Sequence, residues 1–437
     1  MDRTVSNLPG IPDPMAFRRS EDDNANRHQH AGQHLDDISH AHESAVRAHR
    51  QSHMMVNDPY TLPPNGHSPP PKRIAQKRSL LRNRIGNFKW NWFACTMSTG
   101  GLAIAISESP KVFSGMKTIG KIFMILDIVL FITFTCCIST RFILEPKAFK
   151  RSLSDPTEAW FFGCWFLSQA TIIGNIEQYG IPASGPWLVK AQEILLWCYV
   201  AFTIPLGIGL FAYHFATNKI TLDKIQPSMA LGIYPTMLAG TLASLIALKQ
   251  PPSSALPIII GGIAFQGLGF MISYLIFAIF IYRCFAIGLP APQTRVGMFI
   301  MVGSPGYTAA ALQGLGNAAA MKFPVGYMGT MISAGEVLKV VATAVNAWLW
   351  LLSLTFFGWS VVGVGFGLKE MRFDVTWWAV VFPNVGWTIA TALLGKSLDS
   401  QGIQWVSCGM IVILVVCWII VAYSNVKAIA GGQCPPP

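Results

Sequence analysis

Ten long apolar runs dominate this 437-residue sequence. They fall at about 90–110, 118–142, 159–179, 187–213, 228–248, 256–285, 297–319, 331–357, 373–395 and 403–425. Each reaches the roughly 20 residues that a helix needs to cross a hydrocarbon layer about 30 Å thick. In lipid the backbone must pair its own N–H and C=O groups, so runs of this kind fold as helices. Charged residues make up only 12% of the chain, about half the share of a soluble domain. The expectation is an all-α polytopic membrane protein with ten transmembrane helices. Breakers sit at the joints, in "SESPKVFSG", "LEPKAF", "YGIPASGPW", "KQPPSS", "GLPAPQ" and "GKSLDSQG".

The formal net charge is +11, but the basic residues flank the runs instead of clustering on a polar domain. That argues against nucleic acid as a partner and for a lipid bilayer. A basic juxtamembrane segment over 72–89 carries Lys72, Arg73, Lys77, Arg78, Arg82, Arg84 and Lys89. Alternate loops add eleven more Lys and Arg on the same side. The opposite side holds seven: Lys111, Lys117, Lys121, Lys190, Lys249, Lys322 and Lys396. This bias, with an even number of spans, places both termini in the cytoplasm.

The polar stretch 1–71 lacks the apolar content for a core and reads as a disordered cytoplasmic tail. It holds eight of the nine histidines, from His28 to His67, and no apolar core of a cleavable signal peptide. Ser20, Ser68 and Ser79 lie in short contexts that kinases accept. The transporter domain spans 90–426, and 427–437 is a short cytoplasmic tail.

Enzyme chemistry has no footing here. There is no GxSxG, Walker A or HExxH pattern, and no cofactor or metal is expected. None of the nine cysteines forms a CxxC or Cys/His spacing, so they read as small apolar fillers without disulfides.

The odd-numbered runs carry backbone breakers: Gly100-Gly101, Pro235 with Gly240, Gly303-Pro305-Gly306, and Pro383 with Gly386. Such breaks free backbone groups next to a wet cavity; small residues also serve close helix packing. The same runs are rich in neutral polar groups: Thr96, Ser98, Thr99, Gln169, Thr171, Ser304, Tyr307, Gln313, Asn384 and Thr388. A lining of that kind suits an anion that must also leave, because a buried fixed cation would hold it. The charges Asp127, Glu193, and Glu336 with Lys339 fall on even runs, where pairing is their expected role. Arg283 and Arg295 flank a cytoplasmic mouth, either to concentrate anions or as ordinary inside anchors.

Four segments carry a resemblance: "NFKWNWFACTMSTGGLAIAI" at 87–106, "FQGLGF" at 265–270, "PAPQTRVGMFIMVGSPGYTAAAL" at 290–312 and "FDVTWWAVVFPNVGWTIAT" at 373–391. In this order, across 87–426, they resemble the tellurite-resistance/dicarboxylate transporter family and its fungal malic acid branch. Plant slow anion channels are more distant relatives. The resemblance implies ten helices in five hairpins, odd helices around a central pore, and a homotrimer in the plasma membrane. It implies a small organic anion as substrate, with malate and other C4-dicarboxylates moved together with a proton. A sulfite or small inorganic anion exporter or channel of the same fold is the alternative, and a membrane-embedded enzyme or receptor a remote one. It also implies a pore gate at Phe382, the aromatic before the "FP" proline; the other reading has Phe382 packing on neighbouring helices. Thr96, Ser98, Thr99, Gly100, Gln169, Ser304, Tyr307, Asn384 and Trp387 are the candidate pore-lining and substrate-binding residues.

Overall fold

The structure, a computed structural model, describes residues 85–217, 220–329 and 331–431. The histidine-rich tail, its serines, most of the basic segment and the last six residues lie outside them. Among the described residues, ten helices of thirteen residues or more coincide with the ten apolar runs. They are α1 (Phe93–Ser107), α2 (Met116–Leu144), α3 (Phe162–Asn175), α4 (Trp187–Thr217) and α5 (Tyr234–Ile246). They continue with α6 (Pro252–Ile287), α7 (Ile300–Lys322), α8 (Ala334–Gly365), α9 (Phe382–Ser397) and α10 (Gln401–Ala430).

The even and odd helices differ in kind. The even ones run 29 to 36 residues, about 43 to 54 Å at 1.5 Å per residue. They expose large apolar side chains such as Ile125, Phe202, Met271, Leu351 and Ile413. The odd ones are 13 to 23 residues long and are enclosed; every residue of α1 from Phe93 to Ile106 is buried. Six segments are long and apolar enough to cross a membrane: the five even helices, and α9 with the turn before it. In the most apolar stretch of that sixth segment 89% of residues are buried, against 11–33% in the other five. The protein is thus an all-α polytopic membrane protein with apolar outer helices.

Packing explains the difference. α1 packs on α3, α3 on α5, α5 on α7, α7 on α9, and α9 back on α1, so the short helices close a ring. Each long helix covers a seam of that ring. α2 lies on α1 and α3, α4 on α3 and α5, α6 on α5 and α7, α8 on α7 and α9, and α10 on α9 and α1.

The glycines of the ring act as contact points more than as breaks. A methyl on Gly306 would lie 2.6 Å from the Trp387 nitrogen, and one on Gly386 would lie 2.5 Å from the Tyr307 ring. α7 and α9 therefore interlock, each glycine taking the aromatic residue of the other helix. Gly100-Gly101 and Pro305 lie within uninterrupted helix. Only Pro235 and Pro383 mark helix starts, each behind a short 3₁₀ turn; there proline's missing N–H removes a donor that a helix start leaves unpaired anyway.

The even-helix charges are paired where they can be. Lys190 Nζ lies 2.9 Å from Glu193, and Lys339 Nζ 3.9 Å from Glu336. Asp127, fully buried, accepts from the Thr171 hydroxyl at 3.2 Å. A buried pair that hydropathy alone does not announce joins the end of α2 to the short helix Pro156–Ala159. Arg141 donates to both carboxylate oxygens of Glu158, at 2.5 and 3.3 Å, and to the Phe88 carbonyl at 2.8 Å.

Candidate functional site

Two cavities lie inside the ring, one toward each end. The larger, about 640 Å³, opens among the N-terminal ends of all five odd helices. Its polar lining includes Asp155, Thr157, Lys224, Ser228, Thr294 and Thr376. The smaller, about 220 Å³, lies along their C-terminal halves. Gly101, Thr171, Gln178, Lys249, Tyr307 and Asn317 are in its wall.

Phe382 and Tyr307 stand between the two. Phe382 lines the larger cavity and Tyr307 the smaller. Their ring centroids are 5.1 Å apart, and the Tyr307 hydroxyl donates to the Phe382 carbonyl at 3.1 Å. Phe382 is 1% exposed. On the adjacent helix α1, a methyl on Gly101 would meet the Phe382 ring at 3.3 Å. The local sequence holds the phenylalanine there. Asp374 accepts from the Thr376 N–H and starts the Val375–Val380 turn. Pro383 then begins α9, leaving Phe382 as its first residue.

The other expected lining residues face their helical neighbours. Thr96 shares a 2.5 Å contact with Ser168 of α3, and Ser98 donates to the Trp378 carbonyl. Thr99 accepts from the Trp418 indole of α10 at 3.0 Å. Gly100 abuts Asp127 and Thr171, so its neighbour Gly101 is the glycine facing the cavity. Gln169, on α3, lines neither cavity. Ser304 meets Ser273 of α6 at 2.5 Å, and Asn384 donates to the Val380 carbonyl at 2.7 Å. Trp387 packs against Trp350 and Phe357 of α8. Arg283 donates to the Gly288 carbonyl, and Arg295 to those of Pro290 and Gly363. These arginines tie the α6–α7 connection and line neither cavity.

Beyond Thr171 and Tyr307, the sequence gives no direct notice of the polar residues that do line them. Thr157, Ser228, Thr294 and Thr376 sit at or just before the starts of odd runs. Glu108, Gln178, Lys249 and Asn317 sit at their ends. The signal was position: polar side chains at the ends of short odd runs, not at their centres.

Among the described residues no group of three His, Cys, Asp or Glu is placed to hold a metal ion. All five odd helices present their N-terminal ends to the larger cavity, so their dipoles add there with positive sign, about half a charge each. That end is electrostatically favourable for a small anion, and the Phe382–Tyr307 pair lies between the two cavities.

A sequence profile of voltage-dependent anion channels matches residues 87–426. The chain belongs to that family. Within it, a malic acid transport protein of Schizosaccharomyces pombe is 35% identical over 360 residues, 82% of each chain. A putative malic acid transport protein of the same organism is 33% identical over 362 residues, 82% of this chain and 83% of its own. A sulfite efflux pump of Arthroderma otae is 25% identical over 342 residues, 77% of this chain and 89% of its own.

Proposed function

We propose that this protein carries C4-dicarboxylates such as malate across the membrane. The observation that carries the substrate is the 35% identity over most of both chains to a malic acid transport protein. The cavities agree in character: each has a largely apolar wall with a few polar groups and one lysine, Lys224 or Lys249, which lets a dicarboxylate bind without being trapped by a cluster of cations. On this reading the chain crosses the bilayer ten times as five hairpins, with both termini in the cytoplasm of a plasma-membrane protein. The short odd helices cross as the enclosed ring and the larger cavity faces inward. Each subunit of a homotrimer then holds its own pathway, because the ring closes within one chain. Phe382 is the gate: an apolar ring in the narrowest part opposes a hydrated anion until it moves. The substrate travels as the partly protonated anion, together with a proton.

Labelled-malate flux in cells lacking their own permease tests the substrate. Saturable malate flux is expected, with little sulfite flux. The likeness to a sulfite efflux pump favours the second reading, and sulfite flux without malate flux would establish it.

A further inference from the structure

The smaller cavity contains an arrangement that the transport reading leaves unused. Glu177 lies in the π-helical turn Ile176–Gly180 that ends the third run. It is fully buried, and neither carboxylate oxygen accepts a hydrogen bond. Its one counter-charge is Lys249, whose Nζ lies 3.2 Å from Oε1 and donates to the Glu177 backbone carbonyl at 2.8 Å. Lys249 is 35% exposed and lines the cavity beside Gln178, Glu108 and Asn317. The lysine thus has one side on a buried carboxylate and the other on the anion's path.

The surrounding charges are otherwise engaged. Glu108, at the end of α1, takes Lys396 of α9 at 3.7 Å and accepts from the Gln178 amide at 2.9 Å. Lys322, at the end of α7, donates to the Gln250 carbonyl. On α4, Lys190 and Glu193 hold each other. From α2, Gly120 packs against the Tyr179 hydroxyl, which donates to the Ala103 carbonyl. Among the described residues, the side-chain partners of Lys249 and Glu177 are each other, so whatever enters the cavity is what can exchange with them. The C-terminal ends of the odd helices add negative potential here, so an arriving carboxylate needs a cation.

We propose that Lys249 is the carboxylate-binding residue of the smaller cavity, and that Glu177 is an internal competitor for it, displaced when it takes up a proton. This rests on the dicarboxylate reading for the identity of the anion. In each cycle Glu177 gains a proton from the solution on that side, the Lys249 charge is left uncompensated, and one substrate carboxylate pairs with it. When the substrate moves on, Glu177 releases the proton and recovers the lysine. Affinity at this mouth therefore rises with acidity beyond what the substrate's own titration supplies.

The test is uptake of labelled malate into proteoliposomes holding the full chain, at about pH 5 and about pH 7. It compares wild type, Glu177→Gln, Lys249→Gln and Lys249→Arg. Taking each variant's KM relative to wild type at the same pH cancels the titration of malate. Glu177→Gln should lower KM severalfold near pH 7 and leave it close to wild type near pH 5. Lys249→Gln should raise KM roughly tenfold near pH 5, as for loss of one charged contact, and Lys249→Arg should restore it. A Glu177→Gln ratio that is the same at both pH values overturns the proposal, as does an unchanged KM in Lys249→Gln. Monodispersity in detergent checks folding, and should one substitution fail to fold, the other decides. If the wild type carries no malate, the dicarboxylate reading fails by itself. The same ratios taken with sulfite then decide whether Glu177 and Lys249 form an anion site.

Discussion

Phe382 and Tyr307 put the most function into the fewest atoms. Phe382→Ala opens a gap where the two cavities nearly meet, and basal anion flux should rise severalfold at unchanged expression. Flux at the wild-type level would move the constriction elsewhere. Tyr307→Phe deletes only the bond to the Phe382 carbonyl. One such bond is worth about 1 kcal/mol, so flux should rise by no more than about fivefold. The aromatic before Pro383 could be singled out in the sequence because it lies in a motif. The faces of Thr96, Ser98, Thr99 and Ser304 could not, because residues on an all-apolar helix look alike from every side. α1 is buried all round, so no amphipathic stripe marks its inner surface. Gly100 and Gly101 differ by one residue and face opposite partners, Asp127 and Phe382.

Among the helices, the number and order of the ten could be read from the ten runs, although α5 and α9 start well inside theirs, behind 3₁₀ turns. What the runs concealed is how the inner ones begin and what fastens them. The glycines that suggested broken helices instead let α7 and α9 interlock through Tyr307 and Trp387. The Arg141–Glu158 pair was equally hidden, because its halves lie at the edges of two different runs and nothing in the sequence pairs them. It fixes the end of α2 beside the larger cavity, whose lining includes the neighbouring Asp155, Pro156 and Thr157. Glu158→Gln strands a buried guanidinium, which costs about 3–5 kcal/mol, and should lower the melting temperature in detergent markedly. Replacing both partners, Arg141→Met with Glu158→Leu, should recover most of the loss. A single variant that melts like wild type would show the pair to be dispensable.

The assembled protein keeps its two cavities on opposite sides of one closed ring, and that separation can be tested from outside. In a background without the native cysteines, Asn317→Cys should react with a membrane-impermeant thiol reagent from one face only, and Ser228→Cys only from the other. Labelling of both from a single face would contradict the proposed sidedness. No such sidedness test exists for the ring itself, but its construction has a consequence for flux. Five helices that all run the same way give the pathway no symmetry between its ends. On the proposed reading one end gathers anions with the helix N-termini beside Lys224, the other with Lys249 against the helix C-termini. Influx and efflux should therefore saturate at different concentrations of the same anion. With no pH or voltage difference across the membrane the carrier cannot build a gradient, so its maximal rates must differ in compensation, and the direction with the lower half-saturation constant will also be the slower one.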